Sequence, residues 1–372
     1  MKLKVGIAGL GTYFGPMWAE VFSKYSKSEL WAVCDLRQER SEEVAGYFGA
    51  KEALTDYDDL LASEVDIIGV FTPGPLHARH VIAALDAGKH VLSAVPTAWS
   101  LDECQDLIDA VERTGLKYML AETACYEPWV TAVGRMHAAG EMGQVFYVEQ
   151  TTFQDLSGPL MGNDYFSQAD TPDGVYSKTK YTWRYGLPPF YYIEHSIGPI
   201  LTALGGRLTE VTARGCELDQ AELIAKYGAP FSGPHGNPFT CETGLFRFEG
   251  GAVANLTIGW VAAFGKEFVP ATLICGTNKS YMIGAEKDKV LTRSETQLVD
   301  KPAQGRRLDA SLADYAACEN SAYIVQDFVE CILEDRPPPI DIRKAVSFTA
   351  AGLCGHQSAM EGRAVAIPDF SK

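Results

Sequence analysis

Three groups of residues carry the chemistry that this sequence can do. The first is Gly9-Leu10-Gly11, which ends the apolar run 5–8 and precedes a helical pattern. Glycine at 9 permits a sharp turn, and glycine at 11 lets the backbone approach a pyrophosphate. The amides of Thr12, Tyr13 and Phe14 then open a helix toward the phosphate charge. A GxGxxG pattern needs its third glycine at position 14, but Phe14 stands there and Gly15 follows. The turn is therefore expected to carry one extra residue or to set the helix further from the strand. Asp35, 26 residues after Gly9 at the end of the next apolar run, is placed to accept both ribose hydroxyls of an adenosine and to repel a 2′-phosphate. Arg37 and Arg40 follow it, and either is able to pair with a phosphate.

The second group surrounds His195. A histidine titrates near neutrality and can take a hydroxyl proton, assistance worth roughly 10²–10⁴-fold in rate. Tyr191 comes one helical turn earlier and is expected on the same face, whereas the adjacent Glu194 points elsewhere. The third group is the basic, aromatic stretch with Lys178, Lys180, Trp183 and Arg184. Lysines two apart in an extended segment point the same way, so this pair is expected to grip one anionic group while Trp183 stacks on a sugar ring. Lys180 is also a candidate proton carrier. Glu122 and Asp155, each at the end of an expected strand, are further candidates to reach a bound ligand.

The elements that must position these residues change character midway. Strand signals at 30–34, 66–71, 90–93 and 117–121 alternate with helices near 41–48 and 76–87. Ser41 is read as a cap, Gly88 as a stop, and Ser100-Leu101-Asp102-Glu103 as a capping box for another helix. Strands separated by helices imply a parallel sheet covered on both faces, with ligands beyond the carboxyl ends of its strands. Asp35, Thr72, Pro96 and Glu122 lie at such ends. From 145 onward strands dominate: 145–152, 208–214, 240–248, 252–260 and 271–275, two of them joined by the Glu249-Gly250-Gly251 hairpin. Helices return at 321–334 and 341–362 and are expected to pack back on the first domain or on the sheet. The expected domains are 1–123 and 124–372. The long irregular stretches 157–189 and 218–239 are expected to be functional loops.

A hydrophobic content of 47% and a charged content of 22% suit a soluble globular enzyme. The net charge of −16 argues against a nucleic-acid partner. Nine cysteines without a CxxC pair, with Cys34, Cys275 and Cys331 in apolar contexts, read as buried, reduced thiols. No apolar run is long enough to span a membrane, and the run after Lys4 breaks at glycines with no cleavage site. The expected location is the cytoplasm, and no metal-ligand set is read.

Taken together, Gly9-Leu10-Gly11, Asp35, Thr72-Pro73 with His77 four residues on, and Ala87-Gly88-Lys89-His90-Val91-Leu92 resemble the Gfo/Idh/MocA oxidoreductases. The resemblance covers nearly the whole chain and is strongest over the first 150 residues or so. It implies an α/β N-terminal Rossmann domain holding NAD or NADP, and an α+β C-terminal domain whose large, open, mostly antiparallel sheet presents a sugar or polyol to the nicotinamide. It adds Thr72, Pro73, His77 and Val95 to the cofactor-binding set of Gly9, Gly11, Thr12, Tyr13, Phe14, Asp35, Arg40 and Glu122. Asp35 favours NAD over NADP. Most relatives carry Glu-Lys-Pro where this chain has Ala94-Val95-Pro96, so the lysine that would bond the reacting hydroxyl is replaced by Val95, which neither gives nor takes a proton. A second family signature sets aspartates around a histidine. His195 matches the histidine, while Tyr191 and Gly198 stand where the aspartates would be. The chain resembles a subgroup with a similar Val-Pro motif and a Trp-Arg-Tyr-Gly-Leu-Pro-Pro stretch like 183–189.

The resemblance implies hydride transfer at a hydroxyl-bearing carbon of a sugar or glycoside, with His195, Tyr191 and Lys180 as the catalytic candidates. Asp155, Lys178, Lys180, Trp183, Arg184 and His195 are the substrate-binding candidates. A second reading follows from relatives that work as NAD-dependent glycosidases, some specific for sulfoquinovosides. Oxidation, elimination, hydration and reduction there cleave a glycoside with no net redox change. A third is a cofactor-bound sensor that has lost catalysis. An exposed sheet face would favour a homodimer or homotetramer.

Overall fold

The computed structural model describes residues 2–11, 14–153, 183–219, 221–222, 235–260, 272–284, 286–302, 305–313, 315 and 319–371. The chain forms two compact units. Of the described residues, the first takes in those up to Thr123, Trp183 and the segment Arg306–Val346, and the second takes in the others.

The first unit is built on six parallel strands: β1 (Leu3–Ala8), β2 (Ser28–Cys34), β3 (Glu52–Leu54), β4 (Ile67–Val70), β5 (His90–Ser93) and β6 (Tyr118–Leu120). Their order is β3-β2-β1-β4-β5-β6, so the sheet grows in opposite directions from β1 and β4, the switch point where such sheets take ligands. The helices α1 (Phe14–Lys24), α2 (Gln38–Phe48), α3 (Tyr57–Ala62), α4 (His77–Asp86) and α5 (Leu101–Thr114) connect the strands. Ile67, Ile68 and Val70 of β4 are all fully buried, as expected for a parallel strand covered on both faces.

Ser100 caps α5 by accepting from the Glu103 amide, and Glu103 reaches back to the Trp99 amide. Ser41 is not a cap. Helix α2 starts three residues earlier than expected, and the Ser41 hydroxyl donates to Leu54 O and accepts from the Asp35 amide. It therefore ties the turn after β2 to β3. The helix Glu319–Leu333 belongs to this unit, where Glu330 accepts from both Tyr25 and Lys27.

The second unit opens with α6 (Pro128–Ala138), β7 (Val145–Phe153) and α7 (Glu194–Leu204), then runs through β8 (Leu208–Cys216), β9 (Cys241–Phe248), β10 (Val253–Gly259), β11 (Thr272–Gly276), β12 (Ser280–Met282), β13 (Asp288–Leu291), β14 (Thr296–Val299) and β15 (Val365–Ala366). These nine strands form one sheet in the order β14-β13-β12-β11-β7-β10-β9-β8-β15. Every pairing is antiparallel except β7 with β10. The β9–β10 hairpin turns at Glu249–Gly251 as read, closed by Phe248 N to Ala252 O. Burial alternates along β8 and β9, the pattern of a sheet with one covered face.

Among the described residues no helix is long and apolar enough to cross a membrane. Cys34, Cys104, Cys125, Cys331 and Cys354 are buried free thiols, whereas Cys216 is exposed and Cys241 and Cys275 are half-buried. Cys275 is thus less enclosed than its apolar neighbours in sequence suggest, because β11 alternates between the two faces of its sheet.

Candidate active site

The glycine turn after β1 is fixed by close backbone packing. Gly9 has φ +84°, and a Cβ there would lie 2.6 Å from Phe71 O and Thr72 N. The loop after β4 therefore presses directly on the turn. Gly11 has φ +52° and open space where its Cβ would be. Gly15 resolves the irregular spacing. It lies in the first turn of α1, where a Cβ would meet Leu10 Cα at 2.4 Å and Gly9 O at 2.6 Å. It thus does the third glycine's work one position late, and the helix still sits hard against the strand end.

The Asp35 carboxylate organises the same turn. Its Oδ2 accepts from the amides of Leu10 (3.1 Å) and Gly11 (3.2 Å), and its Oδ1 accepts from the amide and Nε of Arg37. Arg40 donates from Nε to Gly11 O and pairs with Glu43. Behind Asp35, burial together with the aspartate charge pushes the Cys34 thiol up to about 12, so it stays protonated. Thr12 and Tyr13 lie outside the described residues; Phe14 is exposed.

The carboxyl ends of β4 and β5 are bound together by His77. Its Nε2 lies 2.6 Å from Thr72 O and its Nδ1 2.7 Å from Pro96 O. The Thr72 hydroxyl lies 2.9 Å from His80 Nδ1, and the His80 ring stacks on Tyr57. Pro73 leads into α4 through a short turn beginning at Gly74. A Cβ on Gly74 would strike Trp183, which meets Trp99 edge-on at 6.1 Å. Val95 is buried and its bond to Pro96 is cis. The neighbouring Thr97 hydroxyl is buried with no partner among the described residues. Glu122, just after β6, is fully buried.

The second unit assembles a different set. His195 is half-buried in the first turn of α7, and the Tyr192 ring meets it edge-on at 5.2 Å. Trp260 meets Tyr192 edge-on at 5.8 Å, and Arg184 donates from Nε and Nη2 to the Tyr192 hydroxyl. Trp260 Nε1 donates to Leu187 O, and Asn237 Nδ2 donates to Phe239 O and Leu187 O, so the 184–190 segment is anchored from β10 and from the loop before β9. The fully buried Glu242 carboxylate accepts from the Phe190 amide and lies 2.7 Å from His356 Nδ1.

Around Tyr191 the ring contacts differ from the expected shared face with His195. Residues 189–192 form a 3-10 turn, with about three residues per turn. That geometry brings Tyr192 to His195 and sends the Tyr191 ring to His356, at 5.5 Å. Glu194 turns inward, accepting from the Thr349 hydroxyl. Gly198 is closely packed against its neighbours. A Cβ there would lie 3.1 Å from Cys125 Sγ and 3.3 Å from the Phe348 ring. Asp155, Lys178 and Lys180 lie outside the described residues. The sequence reading missed Tyr192, Trp260, Glu242 and Trp99. Their partners are mostly far along the chain, and only the Trp183-Arg184 pair gave any local signal.

A turn whose glycines the backbone itself demands, an acid after β2 and room over Gly11 fit a dinucleotide. With the six-stranded parallel sheet, they define a Rossmann fold. Residues 3–122 match the model of the oxidoreductase family with an NAD-binding Rossmann fold. Over that segment the chain is similar to the Gfo/Idh/MocA oxidoreductases.

Over its full length the chain is 23% identical to a glycosyl hydrolase family 109 protein of Solibacter usitatus, covering 88% of it. It is 29% identical over 210 residues to glycosyl hydrolase family 109 protein 2 of Phocaeicola vulgatus, a match spanning 53% of this chain and about half (48%) of that relative. The scyllo-inositol dehydrogenase of Lactobacillus casei, solved with NAD(H) and scyllo-inositol, shares the fold with a TM-score of 0.73 at 19% identity, covering 99% of both chains.

Proposed function

We propose that this protein binds NAD in its first unit and uses His195 of its second unit to handle a proton while a hydride moves at a hydroxyl-bearing carbon of a sugar or glycoside. Gly9, Gly11, Gly15 and the ends of β2, β4 and β5 would hold the dinucleotide, which supplies the hydride acceptor when bound. Asp35 favours NAD over NADP, since a 2′-phosphate near its carboxylate would be repelled. The Arg37 and Arg40 side chains are engaged by Asp35, Gly11 O and Glu43.

The observation that carries the catalytic reading is the His195 cluster. A half-buried imidazole against Tyr192, with Trp260 and Arg184 fixing Tyr192, is a positioned proton acceptor beside aromatic surface. Such surface suits the apolar face of a sugar ring. Lys178 and Lys180 extend the proposal to a substrate with an anionic group. Asp155, Trp183 and Glu122 complete the proposed set, with a cytoplasmic location and a homodimer or homotetramer as the working state.

A second reading is favoured by the two glycosyl hydrolase relatives and by Val95. In it, proton removal by His195 next to a transiently oxidised carbon expels the glycosidic group. Water then adds, and the returning hydride leaves no net redox change. The test incubates the protein with NAD and a panel of glycosides and free sugars, following aglycone release and NADH absorbance together. NADH growth matching substrate consumed supports the dehydrogenase; aglycone release without NADH supports the glycosidase. Neither signal from any substrate contradicts both.

A further inference from the structure

Both ring nitrogens of His77 face carbonyl oxygens, Thr72 O at 2.6 Å and Pro96 O at 2.7 Å, and the residue is only 1% exposed. A carbonyl oxygen can only accept a hydrogen bond. A neutral imidazole has one N–H, so one of the two contacts would oppose a nitrogen lone pair to oxygen lone pairs at hydrogen-bonding range. Imidazolium alone donates at both. We propose that His77 is a buried imidazolium that staples the loop after β4 to the loop after β5 and fixes a positive charge at the carboxyl ends of both strands.

Two effects oppose that charge. Burial disfavours it, and His77 is the first residue of α4, where the helix dipole already presents its positive end. Two charge-assisted hydrogen bonds to carbonyl dipoles act the other way, and these are stronger than neutral ones. Among the described residues, His80 on α4, Tyr57 on α3 and Glu103 on α5 are titratable side chains brought to these loops. Burial pushes the Tyr57 phenol up, so it remains neutral. His80 engages the Thr72 hydroxyl, and Glu103 accepts from the Trp99 amide.

The consequence for cofactor binding rests on the NAD reading above. Thr72 O belongs to the loop after β4 at the switch point and Pro96 O to the loop after the neighbouring β5, and Thr72 N lies against Gly9. A staple with a permanent charge would hold both loops in shape before a dinucleotide arrives and favour its phosphates electrostatically. His77 is in that case a positioning residue with a charge, not a group that touches the reacting carbon.

The decisive experiment reads the ring protons of the dinucleotide-free protein. With 15N-histidine labelling at about pH 8, well above the usual histidine midpoint, His77 should show two protonated ring nitrogens, a signal that disappears in His77→Gln. One protonated and one bare nitrogen would overturn the proposal. Neutron diffraction at the same pH reads the same two positions without any variant, should His77→Gln fail to fold. NAD titration separates the two ideas. Imidazolium without NAD binding keeps the staple and removes the cofactor reading; a neutral ring with NAD binding does the reverse. In folded His77→Gln the NAD dissociation constant should rise about tenfold, the scale of a charge-assisted contact. An unchanged constant would remove the charge from any part in binding.

Discussion

The glycine turn of the first unit and the His195 cluster of the second are built by different physics. The turn is almost all backbone. Gly9 and Gly15 are glycines because carbonyls and amides occupy the space of a Cβ, and Asp35 works by accepting amides of the same turn. The cluster is almost all side chain: His195, Tyr192, Trp260 and Arg184 touch through rings and a guanidinium. Backbone recognition tolerates no substitution at a few points. Side-chain contacts of that kind can be rebuilt by other side chains.

The largest expected effect probes the side-chain region. His195→Ala should lower turnover roughly 10²–10⁴-fold while leaving NAD affinity, measured by titration, unchanged. A joint loss of both would erase the distinction between the regions. In the backbone region, Gly9→Ala must place a Cβ 2.6 Å from Phe71 O with φ +84°. It should cost about 3 kcal/mol in denaturant unfolding and abolish NAD binding; wild-type behaviour would show that the turn is not backbone-limited.

Glu242→Ala sharpens the contrast. It leaves the Phe190 amide and His356 without their buried acceptor, at about 2 kcal/mol, and should reduce turnover while sparing NAD affinity. The smallest effect is one of pH. His90 Nδ1 accepts the Lys117 amide, and burial, then the Lys117 charge, holds its pKa below the usual histidine value. The unfolded chain binds that proton more readily, so stability is complete above the ordinary histidine range and falls as pH drops through the lowered value. The acid-side loss of melting temperature should be smaller in His90→Gln; an identical slope would place the loss elsewhere.

What could be read from residues alone follows the same division. The glycine turn, Asp35, the capping box and the change from alternating elements to consecutive strands depend on neighbours within about one element's length, so local pattern shows them. The displaced glycine was ambiguous because spacing alone cannot say which backbone atoms Gly15 faces. Tyr192 was passed over for Tyr191 because helical spacing was assumed where the chain makes a tighter turn. Trp260 and Glu242 meet the 184–195 segment only after the sheet has formed, and nothing near them in sequence announces it.

The central claim is that the first unit holds NAD, and titration of the purified protein with NAD+, NADH and NADP+, alongside mass analysis of whatever denaturation releases, tests it most directly. The account predicts saturable one-to-one binding of NAD, weaker binding of NADP+, and loss of both in Gly9→Ala. No binding of any dinucleotide, with none released on denaturation, would contradict it.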